Sequence, residues 1–273
     1  MQSHIHTETD LDAALAALTR ADPRFEALLA AGGRPPLRRR SDGFAGLVAI
    51  VVAQQLSTAS AAAIWGRIAA AFDPLEPDAI LRARPARLQK LGLSRPKIRA
   101  LKEIARAIKR GDLALAALAE LAADAAHAAL TAVHGIGPWT ADIYLLSCLG
   151  HADAWPAGDL ALQEAAKVAF ALKARPTAKE MMALAEAWRP WRAVAARILW
   201  SYYRASRDAA KSRALTAAGL RPSGATPTEN GPATTDKIPV PAVFVSPPRR
   251  SRRGAQARAA TNADRSTDRR RSR

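Results

Sequence analysis

The sequence predicts an all-α fold, a two-lobed helical bundle of about ten helices with a disordered basic tail. Three observations lead there. Apolar residues recur at three- and four-residue intervals through most of residues 11–204, as on one face of a helix. No stretch before residue 205 shows the period-two alternation of a half-buried strand. Beyond about Arg207, Gly, Pro, Ser, Thr and Arg displace the apolar residues, leaving too little surface to form a core. The expected organisation is an N-terminal helix and loop over residues 1–40 packed on a core at 41–207, then the tail at 208–273.

Leu11 to Ala31 carries an apolar stripe at Leu11, Leu15, Leu18, Phe25, Leu28 and Leu29, broken near Asp22-Pro23. Gly32 to Pro36 ends that helix. Arg38, Arg39 and Arg40 then lead into Ser41-Asp42, a candidate N-cap; these arginines suit a phosphate contact and a solvated loop equally. Phe44 to Gln54 is apolar on nearly every face and reads as a buried helix. Gln54-Gln55-Leu56-Ser57-Thr58 closes it, with Ser57 or Thr58 capping a helix over Ala59 to Phe72. Asp73-Pro74 and Glu76-Pro77 mark a turn before short helices at Asp78 to Ala83 and Ala86 to Lys90. Gly92-Leu93-Ser94 opens the helix Lys97 to Lys109, with Arg95, Lys97 and Arg99 at its start; Leu113 to Leu121 makes a short Ala/Leu helix. After a polar loop, His151 to Gly158, come helices at Leu160 to Leu172, Ala178 to Trp188 and Arg192 to Arg204.

Between the helical runs Ala125 to Ala132 and Thr140 to Cys148 stands Val133-His134-Gly135-Ile136-Gly137-Pro138. Gly135 can take the positive φ that ends the first helix, and Gly137 admits close backbone approach. Pro138 suits the first turn of the next helix, where its missing N–H costs nothing. The turn presents backbone N–H groups at a helix N-terminus, which favours phosphate. Taken alone, it reads first as an ordinary helix-capping turn. Asp159, just before Leu160, is a candidate N-cap whose ionised form the helix dipole favours; alone it reads as a structural cap.

Together these residues resemble the helix-hairpin-helix motif of the base-excision DNA glycosylases, in which a Gly-hydrophobic-Gly hairpin precedes a loop with an essential aspartate. Val133, Gly135, Ile136, Gly137 and Asp159 occupy the pattern, and the resemblance covers roughly residues 40–205. It implies phosphate contact from Gly135, Ile136, Gly137 and Lys97, and catalysis by Asp159. Gln54-Gln55-Leu56-Ser57 resembles the wedge loop of the family, making Leu56 the residue that fills the gap left by a flipped nucleotide and Gln55 a minor-groove neighbour. Members that also cut the backbone carry a lysine nucleophile where this chain has Trp139, so the resemblance implies a monofunctional enzyme using water.

The Gly-Ile-Gly-x-Trp-Thr-Ala form is similar to the alkylbase, 3-methyladenine DNA glycosylase II branch. Trp139 and Trp200 align with its stacking tryptophans, while Trp65, Trp155, Trp188 and Trp191 fit core or loop supports. Ile143 holds a position where some members carry a pocket tyrosine, and Gly158 one where some carry a second aspartate. A cationic alkylated purine leaves without a general acid and is attracted by aromatic faces, which one carboxylate and two tryptophans can serve. The resemblance also allows a structural Na or K ion at the hairpin, held by main-chain oxygens of Thr131, Val133 and Ile136, with no cofactor required. Two other readings stay open: a non-catalytic helix-hairpin-helix DNA-binding protein, and a glycosylase for deaminated or oxidised bases.

The 273 residues carry a formal charge of +17, and 14 Lys/Arg against 5 Asp/Glu fall in residues 208–273, so the folded part is basic as well. A polyanion is the expected partner, here double-stranded DNA bound by a monomer; an anionic membrane would satisfy charge alone. No signal peptide or bilayer-length apolar run is evident, so the expectation is a cytoplasmic protein, nucleoid-associated if bacterial. The single cysteine, Cys148, sits in an apolar run, reads as core and excludes both an internal disulfide and a four-cysteine iron–sulfur cluster. His127, His134 and His151 read as solitary polar residues.

Overall fold

Helix α1 (Glu8–Ala21) begins in a capping box: Thr7 accepts from the Asp10 N–H while the Asp10 carboxylate accepts from the Thr7 N–H. The computed structural model describes residues 4–217, and among them there are twelve α-helices and no strand. The break at Asp22-Pro23 separates α1 from α2 (Arg24–Gly32). At Gly32 a Cβ would stand 2.6 Å from the Tyr202 Cα, so only glycine lets α2 reach the backbone of the last helix. That last helix, α12 (Arg192–Ala217), is buried from Ala193 to Leu199 beneath α1, α2 and α10 (Leu160–Ala169).

The apolar run after Asp42 forms α3 (Gly43–Ala53), whose Leu47, Val48, Ile50, Val51 and Val52 are essentially inaccessible. This all-round burial makes α3 the central rod, touching α4 (Thr58–Ala71), α7 (Arg95–Arg110) and α9 (Pro138–Tyr144). Asp42 stands at the N-cap of α3, but its side chain makes no capping bond. Ser57 does cap α4, accepting from the Ser60 N–H at 3.1 Å. With α5 (Pro77–Arg82) and α6 (Pro85–Lys90) packed on α7, this forms one lobe; α1, α2, α10 and α12 form the other.

The hairpin pair, α8 (Ala123–Thr131) and α9, pack on each other, α9 also against α3; α11 (Ala178–Ala185) follows α10. Three expectations need revision. Leu113 to Leu121 is a tighter 3-10 turn, Leu115–Glu120. The helix after Asp159 stops at Ala169 rather than Leu172, because Ala171 adopts a left-handed φ of 49°. The last helix does not end at Arg204 but continues to Ala217, so residues 208–217 belong to the fold rather than the tail. The rest of the expected tail, 218–273, lies outside the described residues. So does the transient strand expected at Lys237 to Val245.

Candidate active site

The hairpin turn is fixed by packing on its inner side and left open on its outer side. Gly135 has φ 98°, and a Cβ there would fall 2.8 Å from the Ala100 Cα, so the turn can lie against α7 only with glycine at this place. Gly137, the N-cap of α9, has an ordinary φ of −83° and open space in front of its Cα. No side chain caps α9, and Pro138 occupies its first turn. Ile136 departs from the expectation. Its side chain is buried and its N–H closes the turn on the Val133 carbonyl at 3.1 Å, so that donor is already engaged.

The carbonyl of Val133 keeps a second lone pair beyond that bond. As neutral main-chain oxygens of one short turn, those of Thr131, Val133 and Ile136 are a donor set chemically suited to a monovalent cation. The side chain of Thr131 is not free, since its hydroxyl donates to the His127 carbonyl at 2.9 Å.

Residues 139, 159 and 200, distant in sequence, meet at one carboxylate. Asp159 caps α10 with Oδ1, which accepts the Leu162 N–H at 2.8 Å and the Trp200 Nε1–H at 3.2 Å. Its Oδ2 accepts the Trp139 Nε1–H at 2.8 Å. Three donors converge on an acceptor-only group with about four acceptor sites, which pins both indoles and leaves one site open. This carboxylate faces a cavity of about 870 Å³ whose lining includes Trp139, Ile143, Leu146, Trp200 and Ala53. Ile143 is buried against the cavity wall; Tyr144, beside it, is fully buried away from that lining.

The loop expected to carry the wedge lies at the rim. Ala53, Ser57 and Thr58 line the cavity on either side of it. Gln55 is exposed with a left-handed φ of 56°, while Leu56 is half-buried against Ala53 and Ala61. Gln54 ties this loop to the hairpin helix through its Nε2–H to the Thr140 hydroxyl at 2.7 Å. Lys97, the expected phosphate contact, already engages two of its three donors inside the fold. Its half-buried ammonium donates to the carbonyls of Val52 and Gln54 at 2.7 and 2.8 Å, closing the C-terminus of α3. Burial pushes its pKa down.

Two of the three histidines are not solitary. His127 Nε2 stands 3.6 Å from Asp142 Oδ1, and the His151 ring packs against that of His4 at a tilt of 50°, centroids 4.6 Å apart, while its Nε2 meets the Leu118 carbonyl. Trp155 and Trp188 are core, and Cys148 is buried with its thiol pKa pushed up to about 11 by burial.

The family model described as HhH-GPD superfamily base excision DNA repair protein matches residues 48–190, just over half of the chain. The chain belongs to that superfamily. One HhH-GPD relative is a probable bifunctional transcriptional activator/DNA repair enzyme AlkA of Mycobacterium tuberculosis, 32% identical over 70% of this chain and 40% of its own length. Among solved structures, DNA-3-methyladenine glycosidase of Bacillus halodurans is 28% identical with a TM-score of 0.63, over 71% of this chain and 91% of that one. The 3-methyladenine DNA glycosylase Mag1 of Schizosaccharomyces pombe, in complex with abasic DNA, is 27% identical with a TM-score of 0.62, over 69% and 95%. The chain spans 40% to 55% of the length of the first curated relatives. The HhH-GPD match ends at 190, so Trp200 and the whole of α12 lie beyond it.

Sequence reasoning missed the indole–carboxylate clamp, the Gln54–Thr140 tie and the carbonyls that occupy Lys97. Each is a contact across at least 20 residues of chain, for which local spacing carries no signal. It also missed the long reach of α12, although the seven residues after Arg204 include no Gly or Pro to stop a helix.

Proposed function

We propose that this chain is a monofunctional DNA glycosylase that takes an alkylated purine of the 3-methyladenine or 7-methylguanine type out of duplex DNA and hydrolyses its N-glycosidic bond. The observation that carries this reading is the carboxylate of Asp159, held by both indoles in the lining of a cavity of about 870 Å³, which has room for a flipped purine. The family assignment and the glycosylase activity named for its relatives support the same reading.

In this mechanism the hairpin N–H groups at Gly137 hold a phosphate, and Leu56 moves out to fill the gap left by the flipped nucleotide. The base lies against Trp139 and Trp200, whose faces attract a cationic ring. The C1′–N bond breaks with its electron pair going to the base, which leaves neutral because alkylation had made it cationic. Positive charge then develops on the sugar, where the Asp159 carboxylate stabilises it and orients a water. Water adds to C1′ and its proton passes to Asp159 or to solvent, leaving an abasic site. With tryptophan rather than lysine at 139, no amine is available there for a Schiff base, so strand cleavage is not part of the reaction. No step runs through a bound ion.

Base release from methylated duplex DNA, with chromatographic identification of the freed base, tests this. Wild type releases 3-methyladenine or 7-methylguanine, and strand breaks appear only after alkali; Asp159→Asn binds the same DNA but releases base at least about a hundredfold more slowly. Full activity in Asp159→Asn would remove the assigned role. Tight binding with no release by wild type would leave a DNA-binding protein without this chemistry.

A further inference from the structure

The cavity has a second wall that the reaction above does not use, and it is cationic. Its lining includes Arg38, Arg39 and Arg40 from the loop before α3, and Arg197, Arg204 and Lys211 from α12, against two carboxylates, Asp159 and Asp208. Residues 197, 200, 204 and 211 stand three, four and seven apart, so they form one stripe of the helix that starts beside the carboxylate and runs outward. From Trp200 to Lys211 the stripe extends about 16 Å along the helix. At ~3.4 Å of duplex axis per nucleotide of one strand, that length matches about five phosphates.

The loop is held rather than floating. Arg197 donates to the Leu37 carbonyl and, at 3.2 Å, to the Leu146 carbonyl. Arg39 donates to the Cys148 carbonyl at 2.7 Å, and the Arg40 N–H to the Ser147 carbonyl at 2.9 Å. Arg38 keeps a left-handed φ of 41°, a conformation unfavourable for arginine that these tethers maintain. Burial and the like charge of Arg204 push its pKa down, so two guanidiniums are held near each other. Among the described residues, no ion pair joins Arg38, Arg39, Arg40, Arg204 or Lys211 to a carboxylate. Some surface cations elsewhere do meet carboxylates, as in Arg34 with Glu8 and Asp12, Arg110 with Asp112, and Arg175 with Glu164; what sets this group apart is that its members line one cavity.

A held row of unmatched cations leading out of the cavity calls for a row of anions. We propose that the loop 35–40 and the cavity-facing stripe of α12 form a second phosphate-gripping surface, separate from the hairpin, that carries the backbone of duplex DNA flanking the flipped nucleotide. This rests on the glycosylase reading and adds to it a binding surface outside the matched segment 48–190.

The test is binding of the full chain to an undamaged duplex and to one with an abasic-site analogue, across a salt series. The variants are Arg204→Ala/Lys211→Ala and Lys211→Glu, on the exposed part of α12 where the core is not disturbed. For the double variant, the slope of log affinity against log salt becomes shallower by about one to two, and affinity at low salt falls about tenfold or more. Lys211→Glu weakens binding in the same direction. An unchanged slope in both variants, with wild type binding DNA and releasing base, overturns this surface alone. Failure of wild type to bind either duplex overturns it together with the glycosylase reading.

Discussion

Asp159 caps a helix with the same carboxylate that the proposed reaction uses. Its Oδ1 caps α10 as the sequence suggested, but the cap uses only part of its acceptor capacity. Two indole N–H groups take two further acceptor sites and leave about one for a water, so Asp159 and the tryptophans fix one another. This separates two roles of each indole, its N–H towards the carboxylate and, in the proposed reaction, its face towards a base. Trp139→Phe keeps an aromatic face and removes the N–H. A hydrogen bond to a charged group contributes about 1.5–3 kcal/mol, so single-turnover base release should fall about tenfold to a hundredfold, with DNA affinity within about threefold of wild type. Equal losses in affinity and rate would mean that the ring itself, rather than its N–H, is what matters.

At the scale of elements, the helices were legible because their apolar spacing and their Gly and Pro breaks are local properties. Val133-His134-Gly135 and Pro138 placed the hairpin, and the all-apolar run after Asp42 placed the central helix. What was not legible is what each helix end meets. Lys97 reads as a surface cation beside Arg95 and Arg99, yet it closes α3 from a distance of more than 40 residues. Because Gln54 both precedes Gln55 and Leu56, the proposed wedge, and bonds Thr140, this cap helps set where the loop starts. Lys97→Met keeps the length of the side chain and removes its three donors. We expect a loss of about 1–2 kcal/mol in stability by denaturant titration. The salt slope of DNA binding should stay unchanged; a slope shallower by about one would restore Lys97 as a phosphate contact.

Across the whole molecule, buried charge joins the two lobes at the hairpin. Arg192, fully buried, bonds Asp124 at the start of α8 and Asp153 in the loop before Asp159. Sequence periodicity did not foresee this, since an arginine near a helix start reads as solvated until its partners, 39 and 68 residues away, are known. Nearby, Asp142 of α9 is buried beside His127, at a separation too long for a hydrogen bond. Burial pushes its pKa from 3.8 up to about 8 against the opposing pull of Arg192, and burial pushes His127 down. The folded protein therefore holds the Asp142 proton more tightly than the unfolded chain does. Between pH 4 and 8 the unfolded chain releases that proton first, so this residue costs stability as pH rises, by at most about 1.4 kcal/mol per pH unit. Asn at this place stays neutral throughout, and His127 and Arg192 are present in both proteins. The melting temperature of Asp142→Asn minus that of wild type should therefore climb from pH 5 to pH 8 and level off above it. A difference that stays flat over that range would mean that Asp142 is ionised in the fold, with His127 or Arg192 as its counter-charge.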